Sequence, residues 1–293
     1  MQRLPADRPP GDSCLNTNDT SSPQGRILAG LDNGVATLTM SRPARRNAYT
    51  SAMMRSLREA VTAALNDPAC KVLVLRGDGA SFSAGGDVHE FAQSLALDVA
   101  ARRASFEALV AEQVNPVIVA LRAAHQPVVA AVRGDCVGYG LSLMLASDFA
   151  IAADDAVFST AGIALAQPGA GGQSAFLVHA LGERRARELM WSARRFDAHE
   201  AKALGLVERV VPTADFDAAV DAEVVRLASG PRHAYAEIKR LLNASLEQAG
   251  GRTLAAHLTD EAAAFGRCAA SSDFAEAVES FIARRKPIFG RRD

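Results

Sequence analysis

Phe82-Ser83-Ala84-Gly85-Gly86-Asp87 stands between the apolar run Val72-Leu73-Val74-Leu75 and a helical stretch. Gly134-Asp135-Cys136-Val137-Gly138-Tyr139-Gly140 repeats the arrangement, between the run Pro127 to Val132 and a short apolar helix expected over Leu141 to Ala146. A short unbroken apolar run bounded by turn residues reads as a strand of a buried parallel sheet. Small residues between strand and helix let another molecule approach the backbone closely. The first N–H groups of a helix lack intrahelical acceptors and lie at the positive end of its dipole, so they suit an anion or a developing oxyanion. Two such groups aimed at one carbonyl oxygen make an oxyanion hole. Either loop alone is also what an ordinary strand-to-helix turn looks like.

Outward from these loops the pattern stays α/β. Ile27 to Leu31 and Val35 to Met40, around Asp32-Asn33-Gly34, read as a hairpin. Thr50 can cap a helix with apolar positions Met54, Leu57, Val61 and Leu65, ended by Asn66-Asp67-Pro68. A helical stretch follows Asp87, breaks near Leu95 and resumes to about Ala124. Phe149 to Ala152 and Val207 to Val211 read as strands, and Asp197 with Glu200 as a capping box. From Thr213 onward the pattern is helical only. The expected organisation is a disordered leader over 1–26, an α/β core over 27–212 and a helical region over 213–293.

The chain of 293 residues is 49% hydrophobic, enough for a sizeable core in one domain with an appendage or in two small domains. Its net charge of −1 argues against a nucleic-acid or membrane-surface binder. The pairs Arg45-Arg46 and Arg194-Arg195 read as solvated surface. Cys14, Cys70, Cys136 and Cys268 form no C-x-x-C pair, and the six histidines have no metal-ligand spacing, so no metal is expected. No apolar run reaches bilayer length, and Met1 to Arg26 lacks the apolar segment of a secretory signal, which together suggest a cytoplasmic protein. Gly138-Tyr139-Gly140 is not completed as a dinucleotide fingerprint, because Leu143 takes the last place. There is no phosphate-loop motif, and the nucleophile elbow of a serine hydrolase is broken around Ser142.

From about Ile27 to Phe289 the chain resembles the crotonase (enoyl-CoA hydratase/isomerase) superfamily. The likeness rests on Ser41-Arg42-Pro43 with Asn47-Ala48, on Phe82 to Asp87, and on Pro127 to Gly134 followed by Gly138-Tyr139-Gly140. It continues through Ser147 to Ala152, Pro168-Gly169-Ala170-Gly171-Gly172, Ala201 to Val211 and Arg284-Arg285-Lys286-Pro287. The resemblance implies a spiral of ββα units with a helical C-terminal oligomerisation region, assembled as a homotrimer or a dimer of trimers. It implies an acyl-CoA thioester as substrate and no cofactor beyond the coenzyme A carried by that substrate. It places the oxyanion donors at the backbone N–H groups of Gly86 and Tyr139. Ala84, Asp87, Val88, His89, Ser142 and Gly162 become substrate-binding candidates, and Arg46 and Lys286 candidates for the nucleotide end of CoA.

The chain also departs from the family pattern. The two positions that hold glutamates in the hydratases hold Ser142 and Gly162 here. The segment from Phe158 to Pro168 is one residue shorter, as in isomerase members, yet the acid that those keep after the proline is Gly169. Asp87, Asp135, His89 or an acid from the C-terminal helices remain as candidates for the base. The resemblance therefore implies an isomerase-type enzyme rather than a hydratase. The alternative is a catalytically silent homologue that binds acyl-CoA or partners active subunits. A thioesterase or another enolate-using activity ranks third.

Overall fold

The computed structural model describes residues 24–250 and 253–289. Residues 1–23 of the expected leader lie outside the described residues, and the first strand already begins at Arg26. That strand, β1 (Arg26–Asp32), pairs antiparallel with β2 (Val35–Ser41), with Asp32 opposite Val35. The turn is two residues, tighter than expected: Asn33 and Gly34 both take positive φ, 50° and 87°, as the twist of a hairpin favours. The Thr50 hydroxyl accepts from the Met53 N–H at 3.1 Å and starts α1 (Ser51–Asn66), whose face of Met53, Met54, Leu57 and Val61 is buried.

β3 (Val72–Gly77) runs parallel to β2. α2 (Val88–Gln93) then leads to α3 (Val99–Leu109) and α4 (Asn115–Ala123), joined by a wide turn over Val110–Val114. Val99–Ala123 is thereby one continuous helix, and by length and composition it could cross a bilayer, although the sequence shows no unbroken apolar run of that length. Its Phe106, Val110, Val114, Val117, Ile118 and Leu121 are buried in the core.

β4 (Val128–Val132), β5 (Asp135–Val137) and α5 (Tyr139–Ala146) form one ββα unit. β6 (Phe149–Ala153), β7 (Val157–Ser159) and α6 (Gln173–Leu181) form the next. β3, a single bridge at Ser83 to Cys136, and α2 make a third on the same plan. α7 (Glu183–Ser192), β8 (Phe196–Asp197), α8 (Ala198–Ala203) and β9 (Arg209–Val211) complete the α/β part. The large sheet has the order β1-β2-β3-β4-β6-β9, and the small one β5-β7-β8. Strands of two or three residues are too short to show a period, which is why the small sheet is not visible in the sequence. Asp197 does cap α8 by accepting from the Glu200 N–H, but the Glu200 carboxylate turns to Arg194 instead of closing a capping box.

Four helices follow. α9 (Phe216–Ala228) covers one face of the large sheet with Phe216, Val220, Val224 and Leu227 against Val72, Val74, Val129 and Ile151. The other face packs on α1 and α5. α10 (Arg232–Gly250) is tied to α4 by Asn243, whose amide donates to the Arg122 carbonyl at 2.7 Å. α11 (Leu254–Ala269) lies along α3, and α12 (Ser272–Ile282) on α2. The mixed α/β architecture with ββα units and a helical C-terminal part is the one that the resemblance implied.

Candidate active site

The two glycine loops meet. Asn47 is fully buried and ties the chain after the hairpin to the first loop: its amide donates to the carbonyls of Asp78 at 2.9 Å and Ser81 at 2.6 Å, and its Oδ1 accepts from the Arg42 N–H. The Ser83 hydroxyl donates back to the Asn47 carbonyl at 2.9 Å. A Cβ built on Gly85 would stand 3.0 Å from the Val137 carbonyl oxygen and 3.5 Å from the Tyr139 nitrogen. A Cβ on Gly140 would stand 2.9 Å from that of Ser83. Only glycine permits this approach at either place, and Gly85 also needs its φ of 87°.

This packing decides which N–H groups are spent. Phe82 donates to Arg133 O, Ser83 to Asp135 O, Ala84 to Arg46 O, Gly85 to the Ser83 hydroxyl and Asp87 to Tyr49 O. Gly86 alone in this run donates to no acceptor among the described residues. It forms a parallel bridge with Tyr49, in which Gly85 O and Asp87 N take the bonds to Tyr49, so its own N–H points away from that strand. Tyr139 is the first residue of α5, and its N–H likewise has no acceptor among the described residues. The Tyr139 ring is buried edge-on to Tyr49 with centroids 5.1 Å apart, and burial pushes its phenol up. The side chain has found room inside the core.

Both residues line a cavity of about 760 Å³. Ala84, Asp87, Val88, His89, Gly162 and Arg46 line it as well. Its apolar wall includes Phe91, Leu109, Val110, Val114 and Phe265, and Phe281 and Ile282 come from the end of α12. Arg45, Arg46, Arg195 and Arg284 add positive charge. Of the arginine pairs expected to be plain surface, Arg45, Arg46 and Arg195 are exposed and also line the cavity, whereas Arg194 pairs with Glu188 and Glu200 away from it. Lys286 does not line it, because the chain past α12 carries Arg284 to the cavity and leaves Lys286 exposed.

Ser142 does not line it either. The side chain is fully buried one layer behind, where its hydroxyl donates to the Ala170 carbonyl at 2.7 Å and accepts from the Gln173 amide at 3.1 Å. Gly162 reaches the cavity but has no space for a side chain: a Cβ there would lie 2.7 Å from Gln167 O and 2.8 Å from Gly169 N. Gln173, unremarked in the sequence, lines the cavity and anchors the second loop by donating to Gly138 O at 2.7 Å. No motif marks it. Only its place at the first turn of α6, just after Gly171-Gly172, could have suggested it.

Two carboxylates line the cavity among the described residues, and both are paired. Burial pushes the Asp87 carboxyl up, but Arg42 at 2.5 Å and the His89 N–H at 2.8 Å outweigh it and leave the group below its ordinary range. Asp135 is held between Arg46, at 2.8 Å, and Arg195. His89 is the one imidazole in the lining, exposed at the start of α2 and 3.4 Å from an Arg45 nitrogen.

An acid from the C-terminal helices does approach. Glu261 of α11 accepts from the Gly172 N–H at 2.7 Å and the Ser174 hydroxyl at 2.5 Å, with His257 beside it. Burial alone would raise its carboxyl, yet His257 and these donors hold it low. It sits at the N-terminus of α6 and outside the cavity lining. Among the described residues, no group of three or more His, Cys, Asp or Glu could hold a metal ion.

Known proteins are similar to this chain in sequence and in fold. The model of the family described as "Enoyl-CoA hydratase/isomerase" matches residues 30–292. A Rhodobacter capsulatus protein named "Probable enoyl-CoA hydratase" is 34% identical over 263 residues, covering 89% of this chain and 96% of its own length. A 4-chlorobenzoyl coenzyme A dehalogenase-2 from Arthrobacter sp is 32% identical over 220 residues, covering 75% and 78%. The crystal structure of an enoyl-CoA hydratase from Mycobacterium avium subsp. paratuberculosis K-10 superposes with a TM-score of 0.76 at 31% identity, covering 90% of this chain and 98% of that one.

Proposed function

Since this chain belongs to the enoyl-CoA hydratase/isomerase family, we propose that its cavity holds an acyl-CoA thioester and that the N–H groups of Gly86 and Tyr139 stabilise the thioester enolate. The observation that carries this reading is the uncommitted Gly86 N–H in a loop whose other N–H groups are all spent. Removing a proton from the α carbon sends charge to the thioester oxygen. Two fixed donors at the start of a helix and at a strand-to-helix corner favour that charge without reorganising. Ala84, Val88 and the apolar wall would lie along the acyl group. Arg46, with Arg45, Arg195 and Arg284, would face the nucleotide end of CoA.

Within the family's repertoire we favour isomerisation over hydration. Hydration needs one group to activate a water and another to protonate the α carbon. The positions that would supply carboxylates hold Ser142, closed off from the cavity, and Gly162, with no space for a side chain. Isomerisation needs one base that takes a proton from the α carbon of a 3-enoyl thioester. The double bond shifts as the γ carbon is protonated, and the oxyanion donors hold the enolate between the two transfers. His89, the imidazole that lines the cavity among the described residues, is the group we favour as this base, and it forms no ion pair with a carboxylate. Asp87 and Asp135 are each held in ion pairs with arginines, an observation that also favours a second reading, an acyl-CoA-binding homologue without turnover. As in relatives of this family, we propose a homotrimer or a dimer of trimers, supported by the exposed apolar residues of α10.

Gly86→Pro tests the oxyanion assignment, because it removes the donor and restricts φ. Loss of one such donor costs about 10²–10³ in turnover. Isomerase activity undiminished in a folded Gly86→Pro variant would contradict the assignment.

A further inference from the structure

The continuous helix Val99–Ala123 widens for one turn at Val110–Val114, where the Asn115 N–H donates to the Val110 carbonyl, five residues back. The next residue supplies the cause. Pro116 has no N–H, and its ring excludes the carbonyl four residues earlier, that of Glu112. That carbonyl is turned outward and accepts from Arg58 of α1 at 3.1 Å. The buried residues Arg102, Phe106, Val110, Val114 and Ile118 recur at every fourth position. On an ideal α-helix that spacing drifts by about 160° from first to last. A turn closed by an i to i+5 bond takes up the drift and keeps the row facing inward.

The consequence falls on the cavity. Leu109, Val110 and Val114 all line it. The point where a Cβ of Gly171 would lie is 3.3 Å from Val114 Cγ1 and 2.9 Å from Ser142 Cβ. The widened turn therefore stands beside the position that carries an acid in the hydratases.

We propose that this turn, enforced by Pro116, is the acyl-selectivity element of the cavity. It presents Val110 and Val114 to an uncharged, apolar acyl group and fixes how much room that group has beside its reacting carbons. The inference rests on the acyl-CoA reading above.

The test is calorimetric titration of the full chain with butyryl-CoA, octanoyl-CoA and free CoA. Two variants are compared with the parent: deletion of Glu112 combined with Pro116→Ala, which removes the extra residue together with the ring that excludes the carbonyl four residues earlier and lets the turn close as ordinary α-helix, and Val114→Phe, which keeps the turn and fills its cavity side. We expect the octanoyl-to-butyryl affinity ratio to change by about tenfold or more in both, the loss in Val114→Phe falling mainly on octanoyl-CoA, while free CoA binds as to the parent. A folded deletion variant that keeps the parental ratio overturns the role of the turn. If the deletion does not fold, Val114→Phe decides, and an unchanged ratio there overturns it equally. A parent that binds free CoA but neither ester overturns the acyl-CoA reading itself.

Discussion

Gly86 and Gly162 show how two glycines of one cavity differ in what they allow. At Gly86 a Cβ would meet the edge of the Phe91 ring at 2.6 Å, a movable neighbour; at Gly162 it would meet backbone atoms of Gln167 and Gly169. Gly162→Glu therefore should not restore a hydratase acid. We expect it to yield no hydration and to destabilise the fold by about 1–3 kcal/mol, the scale of overpacking. Thermal melting and a crotonyl-CoA assay check both, and a stable, hydrating variant would contradict the geometry. The meeting of the two glycine loops was legible in the sequence because Ala84, Gly85 and Gly86 advertise a close approach of backbone. The closure of Ser142 was not, since it depends on Ala170 and Gln173, some thirty residues away in sequence. Arg284 reaches the cavity from a residue in the αL conformation, φ 52°, which nothing in a basic tail announces.

α6 and α11 depend on each other through one carboxylate. Glu261 answers the free N–H groups at the start of α6, where an anion is favoured. Its folded pKa is lowered, so its contribution is complete above the unfolded value of about 4.3 and is lost as pH falls through the folded value. Glu261→Gln should cost about 1.5–3 kcal/mol at pH 7, the worth of hydrogen bonds to a charged group. The gap in melting temperature between parent and variant should close as the pH is taken below about 4.3. A gap that persists or widens there would contradict the assignment. At this scale the strands Val72–Gly77, Val128–Val132 and Phe149–Ala153 were readable as apolar runs, and the caps at Thr50 and Asp197 as side-chain chemistry. The small sheet escaped because β7 and β8 are too short to show a period. The wide turn at Val110–Val114 escaped because a helical pattern that runs on to about Ala124 does not show which of its turns closes on a bond five residues back.

For the whole molecule, the helical C-terminal part does two things. α9 and α11 close the core, and α10 leaves Ile238, Leu241 and Leu242 more than half exposed, at 55%, 57% and 60%. A row of this kind on one helix suits the proposed contact between subunits. Light scattering should find a trimer or hexamer, and Leu241→Asp with Leu242→Asp should shift it to smaller species; a parent chain that is monomeric at micromolar concentration would contradict the proposed assembly. The proposed chemistry is that of a thioester site with oxyanion donors and without the hydratase acids. Its most direct test compares, on one preparation, hydration of crotonyl-CoA with conversion of a 3-enoyl-CoA to the 2-enoyl isomer. Isomerisation is expected to exceed hydration clearly. Hydration at around 10 per second, the turnover of a typical enzyme, would contradict it, because some group would then be supplying the acids that Ser142 and Gly162 do not.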